Sequence, residues 1–346
     1  MLDFASDETH LLLNPRLPRE ERERLERLYA AAPALRSHVW LSTSGTTGSL
    51  KLVALSKQAI LASAAAVNRH LDSSSHDVWC CVLPTFHVGG LGIHARAFLS
   101  GARVVSAQWD PQAFVRDERM TLASLVPAQV RDLLGIRPPA ALRAIVVGGG
   151  ALSPELYEQA RAGGWPVLPS YGMTETASQV ATAKLDGPDL ALLDHVEARS
   201  EPDGRLAFRG ESLLTGYATE TGFEDPKLDG WFITPDLGRI GGNTLRITGR
   251  SGDFIKIGGE SVDLTRLDRV LAEIATDAAI VPARDERLGH VIHLAAASAD
   301  ADSIVSAFNE RVLPFERIRA VHQVDEIPRT ELGKLRRTEL AAKLRI

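Results

Sequence analysis

The densest group of side chains able to hold an anion runs from Thr43 to Lys51: Thr-Ser-Gly-Thr-Thr-Gly-Ser-Leu-Lys. Glycines let successive backbone N–H groups turn towards one anion, hydroxyls add donors, and a lysine adds a point charge. Thr43, Ser44, Gly45, Thr46, Thr47, Gly48 and Lys51 therefore form a candidate phosphate-binding loop. A polar surface turn uses the same residue types, so the loop by itself leaves both readings open.

A second group is Tyr171-Gly172-Met173-Thr174-Glu175-Thr176. It offers an aromatic face for a base, a hydroxyl donor, and a carboxylate oxygen suited to a hard cation. The glycine run with Gly149 and Gly150 closes an apolar stretch, as any tight strand exit does. Asp236, in Trp-Phe-Ile-Thr-Pro-Asp, can accept two vicinal hydroxyls at once. Lys334 lies in Pro328–Arg337, Pro-Arg-Thr-Glu-Leu-Gly-Lys-Leu-Arg-Arg; taken alone it is an ordinary solvated lysine.

These groups need a scaffold, and from about Ser37 to Pro169 short apolar runs alternate with helical patterns. Strands are expected over 38–43, 78–84, 103–107, 122–126, 143–149 and 166–172, with helices over 56–70, 91–100, 128–134 and 153–163. This rhythm predicts an α/β fold, with a mostly parallel sheet flanked by helices. Ser153-Pro154-Glu155 reads as a helix N-cap, a proline at the first helical position and an early acid. The Arg/Glu-rich stretch 19–28 reads as a solvated helix with charge pairs four residues apart. After about residue 190 the pattern becomes β-rich, with glycine-punctuated runs at 204–210, 236–240 and 244–250. A smaller α+β unit follows: a strand (254–257), a helix (264–275), strands (278–283 and 290–296), a helix (301–312) and a strand (318–324). Its expected boundary is Gly249-Arg250-Ser251-Gly252, giving a large domain over 1–249 and a small one over 250–346.

Other chemistries are excluded by absence of their motifs. The sequence has no G-x-x-x-x-G-K-[ST], no strand-following G-x-G-x-x-G, no G-x-S-x-G and no H-E-x-x-H. His290 and His293, three apart in an apparent strand, should face opposite sides and so make no pair. The two cysteines, Cys80 and Cys81, are adjacent; strand neighbours point to opposite faces, so buried reduced thiols are expected and not a disulfide. A formal net charge of −5 argues against a nucleic-acid partner. The N-terminus lacks the layout of a signal peptide and no apolar run reaches membrane-spanning length, so a cytoplasmic enzyme is expected.

Taken in order, the motifs resemble the adenylate-forming family of acyl-CoA ligases, luciferases and peptide-synthetase adenylation domains. The resemblance covers about residues 38–346. It implies that Thr43–Lys51 holds phosphates, that Gly149 and Gly150 line an adenine pocket, and that Tyr171 and Gly172 lie against the base. It implies that Thr174 meets the α-phosphate region, that Glu175 binds Mg²⁺, that Asp236 binds the ribose, and that Arg250 reaches ribose or phosphate. Lys256 closes the stretch from Gly249 that resembles the hinge between the domains, Gly258-Gly259-Glu260 matches the loop bordering a thiol tunnel, and Lys334 takes the place of the adenylation lysine on a mobile small domain. ATP, Mg²⁺ and coenzyme A are the implied cofactors and substrates, with a small carboxylic acid as partner and homo-oligomerisation left open. Leu50, Pro235, Gly252, Leu264 and Arg266 depart from the family pattern.

Pro84–Gly92, Pro-Thr-Phe-His-Val-Gly-Gly-Leu-Gly, should wall the acyl pocket, with His87 gating or contacting the acid. With Ala123–Gln129, this stretch is most similar to the 2-succinylbenzoate–CoA ligases of menaquinone synthesis; other acid–CoA or acid–carrier-protein ligases are the alternative, and a non-catalytic nucleotide-binding relative a further one. A diacid would gain from a second cation. Arg96 is the candidate, against the simpler reading of a solvated surface arginine. Only 42 residues precede Thr43, so a reduced first subdomain is expected, with a more open pocket or a covering partner subunit.

Overall fold

The computed structural model describes residues 2–346 except Pro18, 45–49, 251–253, 258–259, 286–287, 299 and 332. The chain divides into two compact units. The first comprises Met1–Arg199, Ala207–Ile233 and Ile240–Arg246; the second comprises Ser200–Leu206, Thr234–Arg239 and Ile247–Ile346.

The centre of the first unit is a parallel sheet in the order Arg103–Ser106, Val78–Cys81, Leu122–Leu125, Ala144–Val147 and Val167–Met173. Val78–Cys81, Leu122–Leu125 and Ala144–Val147 are buried at every position, as strands covered on both faces should be. Cys80 falls in the core with Phe114, Ile145 and Trp165, while Cys81 falls in the one with Trp79, Ile93 and Leu168. Both thiols are free, and burial pushes Cys80 up to about 12. Ser-Pro-Glu begins a helix as expected: the Ser153 hydroxyl accepts from Leu156 N–H, and Pro154 opens the helix Pro154–Ala162. Such a cap contributes about 1 kcal/mol. Beyond Val167–Met173 the sheet turns antiparallel, through Ser178–Lys184 and Gly187–Leu192.

One expected strand belongs elsewhere. His38–Ser44 is not part of the parallel sheet; it forms an antiparallel hairpin with Leu50–Ser56, pairing Thr43 with Lys51. This hairpin joins a second sheet in the order His10–Leu12, His38–Ser44, Leu50–Ser56, Gly216–Thr219 and Gly222–Glu224. The reason is local. Val39, Leu41, Val53 and Leu55 are fully buried, and so are Trp40, Leu52 and Ala54 on the alternating positions, so both faces of the hairpin are covered. A run of that kind reads the same in either sheet, and pairing with its immediate neighbour closes the shortest loop. The helix Arg19–Ala31 lies on this sheet through Leu25 and Leu28 and carries the Arg19–Glu23 pair on its exposed side.

In the second unit, Glu260–Asp263, Phe254–Ile257, Gly289–Ala296 and Ala278–Asp285 pair antiparallel in that order, and Ile318–Gln323 adds parallel to Gly289–Ala296. Leu264–Ala272 and Ala301–Asn309 cover one face through Leu264, Leu267, Leu271, Ile304 and Phe308. Leu340 of the helix Arg337–Leu344 covers the other, against Ala279, Val281 and Ala295. The departures noted at Leu264 and Arg266 are absorbed: Leu264 is buried, and Arg266 pairs with Glu316. His293 finds a partner that its own strand did not reveal, since its Nδ1 lies 2.9 Å from Nε2 of His322 on the neighbouring strand.

Candidate functional site

In the first unit, Val167–Met173 ends the parallel sheet and hands the chain to a tight turn at Thr174–Thr176. Thr176 is fully buried and its hydroxyl ties the turn together, accepting from Met173 N–H and reaching the carbonyls of Met173 and Ser178. Ala177 and Ser178 then take φ of 52° and 129°, a sparsely populated region for residues with side chains. The turn brings the Ser178 carbonyl so close to Gly172 that a Cβ there would sit 1.9 Å from it. Tyr171 presents its ring 6.1 Å from that of Phe208, a buried residue of Arg205–Gly210. Gly149 adopts φ of 76° at the exit of Ala144–Val147.

Glu175 projects from this turn towards the hairpin. One oxygen, Oε1, accepts a 2.9 Å hydrogen bond from Tyr217 and lies 4.0 Å from Lys51 Nζ. Lys51 in turn stands over the Tyr217 ring, 3.3 Å from its centroid. Burial lowers the Lys51 pKa, opposed by the charges of Glu175 and Glu224, and raises that of Tyr217. Two predicted residues, Lys51 and Glu175, thus share a contact with a third that sequence reasoning missed. Tyr217 lies in Thr-Gly-Tyr-Ala-Thr, which carries no charge to attract notice, and its place next to Lys51 depends on Gly216–Thr219 pairing with Leu50–Ser56. Gly45, Thr46, Thr47 and Gly48 lie outside the described residues, and for Ser44 only the backbone is described. Among the described residues no three His, Cys, Asp or Glu side chains gather as a metal cage. A single carboxylate with one oxygen already held suits Mg²⁺ that arrives with phosphates, since that ion keeps waters and uses few protein ligands.

Pro84–Gly92 leads into the helix Val88–Ser100, with His87 at its N-cap and the His87 ring 4.7 Å from that of Phe86. Gly90 permits the tight entry: a Cβ there would lie 2.3 Å from the Pro84 carbonyl. Arg96, two turns along, corrects the surface reading. It is 1% exposed. Its guanidinium donates to Ser124 Oγ and Ser178 Oγ, both at 3.2 Å, and stands 5.3 Å from the Trp79 ring. Its Nε is buried with no hydrogen-bond partner, and no carboxylate among the described residues pairs with it. Burial pulls its pKa down to about 10, so it remains cationic at neutral pH. The space it occupies is made by small residues, because a Cβ on Gly92 would lie 3.1 Å from Nη2. Gly92 four residues before Arg96, with Ser124 on the facing strand, is the signal from which burial could have been suspected.

In the second unit, Asp236 follows Thr234, whose buried hydroxyl accepts from Asp236 N–H. Arg250 ends the strand Thr244–Arg250 and Lys256 lies in Phe254–Ile257; for both only the backbone is described. Gly258 and Gly259 lie outside the described residues. Lys334 is exposed at a short hairpin in which Thr330 N–H bonds the Lys334 carbonyl, Lys334 N–H bonds Thr330 Oγ1, and Gly333 takes φ of 78°. The following segment is anchored: Arg337 donates to the Ile280 carbonyl and pairs with Asp268.

Comparison with known proteins agrees with this fold. The profile described as AMP-binding enzyme matches residues 37–218. The 2-succinylbenzoate–CoA ligase of Bacillus licheniformis is 30% identical over 326 residues, spanning 86% of this chain and 68% of the relative. That of Salmonella typhimurium is 35% identical over 262 residues, spanning 72% and 55%. Among solved structures, a variant of Escherichia coli MenE with bound OSB-AMS superposes with a TM-score of 0.80 at 25% identity, over 98% of this chain and 88% of that one. The Bacillus subtilis o-succinylbenzoate CoA synthetase in complex with the acyl-adenylate intermediate OSB-AMP gives 0.82 at 24% identity, over 96% and 88%. Among the described residues no helix is long and apolar enough to cross a membrane.

Proposed function

The chain belongs to the AMP-binding enzyme family, and from that premise we propose that it is an ATP-dependent acid–CoA ligase whose acid is 2-succinylbenzoate. The observation that carries the choice of acid is Arg96. A buried cation that, among the described residues, has two serine partners and an orphaned N–H is costly for the protein on its own. A ligand carboxylate would offset that cost with charge-assisted hydrogen bonds. 2-Succinylbenzoate has two carboxylates, one to be activated and one to be recognised. The named relatives act on that acid, which supports the reading.

The reaction joins two anions, so positive charge must stand where repulsion is greatest. In this reading Lys334 bridges the substrate carboxylate and the α-phosphate, and Lys51 with the hydroxyl loop holds the outer phosphates. Tyr171, Gly149 and Gly150 border the adenine, Asp236 and Arg250 take the ribose, and Thr174 meets the α-phosphate region. Mg²⁺, when bound with ATP, would neutralise phosphate charge, with Glu175 as its protein ligand. The carboxylate oxygen attacks the α-phosphorus, pyrophosphate leaves, and a thiol sulfur later displaces AMP from the acyl carbon. Domain 250–346 turns between the two steps, withdrawing Lys334 and presenting Gly258 and Gly259 to the thiol.

Products of a mixture of the protein, ATP, Mg²⁺, CoA and 2-succinylbenzoate, read by mass spectrometry, test this directly. Succinylbenzoyl-CoA with AMP is expected. AMP without thioester would point to a carrier-protein thiol, and no AMP with this acid but AMP with an aryl or fatty acid would overturn the substrate. Lys334→Ala should lose adenylate formation by about a thousandfold, the scale of one oxyanion-type donor, yet still turn over a preformed adenylate.

A further inference from the structure

Tyr217 is buried, 5% exposed, and the proposed mechanism gives it no role of its own. Its hydroxyl donates to Glu175 Oε1 at 2.9 Å, while its ring face lies 3.3 Å beneath Lys51 Nζ. The two contacts use different parts of one side chain, and the two residues they reach come from different elements, Lys51 from the strand Leu50–Ser56 and Glu175 from the turn Thr174–Thr176. Tyr217 is itself fixed by the pairing of its backbone with Val53 and by Gly216, where a Cβ would lie 2.5 Å from the Phe223 ring. Without Tyr217, Lys51 Nζ and Glu175 Oε1, already 4.0 Å apart, could close into a direct ion pair. Such a pair would occupy the lysine meant for phosphate and the carboxylate meant for the metal.

We propose that Tyr217 is a positioning residue that holds Lys51 and Glu175 apart and aimed, its hydroxyl orienting the carboxylate for a divalent cation and its ring parking the ammonium until phosphate arrives. The hydroxyl engages Oε1, which would leave Oε2 to hold the cation. The ring offers the ammonium an attraction of roughly 0.5–2 kcal/mol, weak enough for phosphate oxygens to displace. This rests on the phosphate and metal roles proposed for Lys51 and Glu175, and it separates the two contacts by chemistry.

The test uses the full chain and two variants. Tyr217→Phe keeps the ring and deletes the hydroxyl; Tyr217→Leu deletes both. Binding is read without turnover, by titrating Mn²⁺ in the presence of α,β-methylene-ATP and following bound Mn²⁺ by electron paramagnetic resonance. Tyr217→Phe should raise the Mn²⁺ dissociation constant about tenfold, the scale of one charge-assisted hydrogen bond, while nucleotide affinity at saturating metal changes less than threefold. Tyr217→Leu should weaken the nucleotide as well. In turnover, Tyr217→Phe should raise the Mg²⁺ half-saturation far more than it lowers kcat. Mn²⁺ affinity unaltered in folded Tyr217→Phe overturns the proposal, as does an equal loss at all metal concentrations. If the wild-type chain binds Mn²⁺ and nucleotide yet makes no AMP with any acid, the ligase reading fails while the positioning role stands.

Discussion

The two ends of the parallel sheet treat buried charge in opposite ways. At the amino ends of its strands, Asp77, Thr121 and Arg143, each just before a strand, form a closed clip. Arg143 donates to both Asp77 oxygens at 3.0 and 2.8 Å, Thr121 donates to Oδ1 at 2.7 Å, and Ser74 N–H to Oδ2 at 2.8 Å. Burial alone would raise the Asp77 pKa, but these donors together hold it below the ordinary carboxylate range. On the side of Ser124 and Ser178, Arg96 is more deeply buried and pairs with no carboxylate among the described residues. A charge whose partners are all supplied by the fold serves the fold. Under the proposed function, the charge left short of partners is the one that takes the substrate's second carboxylate. The glycine exits at 148–150 and the turn at Thr174–Thr176 also lie beyond the carboxyl ends of strands, where open α/β sheets bind their ligands.

Breaking the contrast at Arg96 should have the largest effect. Arg96→Met fills the same space without charge and should lower kcat/KM for the diacid at least a hundredfold, within the ~2–5 kcal/mol typical of truncating a desolvated charge pair. The melting temperature should hold or rise, because an orphaned charge has been removed. A fall in melting temperature with an unaltered kcat/KM would reverse the assignment.

His195 sharpens the contrast from the neutral side. Both its ring nitrogens are buried without partners among the described residues, and burial lowers its pKa to about 4. The unfolded chain therefore holds a proton that the folded one does not between about pH 4 and 6.5, so stability rises with pH across that window. His195→Leu should flatten this slope, worth roughly 2–3 kcal/mol in total, in urea unfolding measured from pH 4 to 7. An unaltered slope would mean that the ring is hydrated in solution.

The clip gives the smallest expected change, and of the opposite kind. Asp77→Asn should cost about 2 kcal/mol in denaturant unfolding, less than a fully buried pair because Arg143 is 38% exposed, with kcat/KM unchanged. Because the native Asp77 pKa is lowered, its contribution is present above the unfolded value and lost as pH falls through the folded one. The variant should lack that acid-side loss.

Much of this was legible in the sequence for physical reasons that can be named. Alternation and capping fixed the parallel strands and the helix Pro154–Ala162, because both depend on nearest neighbours. Adjacent cysteines on opposite faces follow from the pleat alone. The hairpin of His38–Ser44 with Leu50–Ser56 did not emerge, since strands covered on both faces do not announce which sheet they join. Arg96 stood as a candidate beside the simpler reading of a surface arginine, because a long cation is usually solvated and the pocket that hides it is built from Gly92, Ser124 and Ser178, far apart in the chain. Tyr217 was invisible for the same reason: its role is a matter of pairing register, not of local composition.

Gly172 illustrates how poorly surface area can predict freedom to vary. It is exposed, and by area alone should accept almost any residue. Yet the carbonyl of Ser178 stands where every other amino acid must place its first side-chain carbon. In a saturation library of this chain, position 172 should behave like the deepest core site, and substitutions drawn by solvent exposure alone would strike it first.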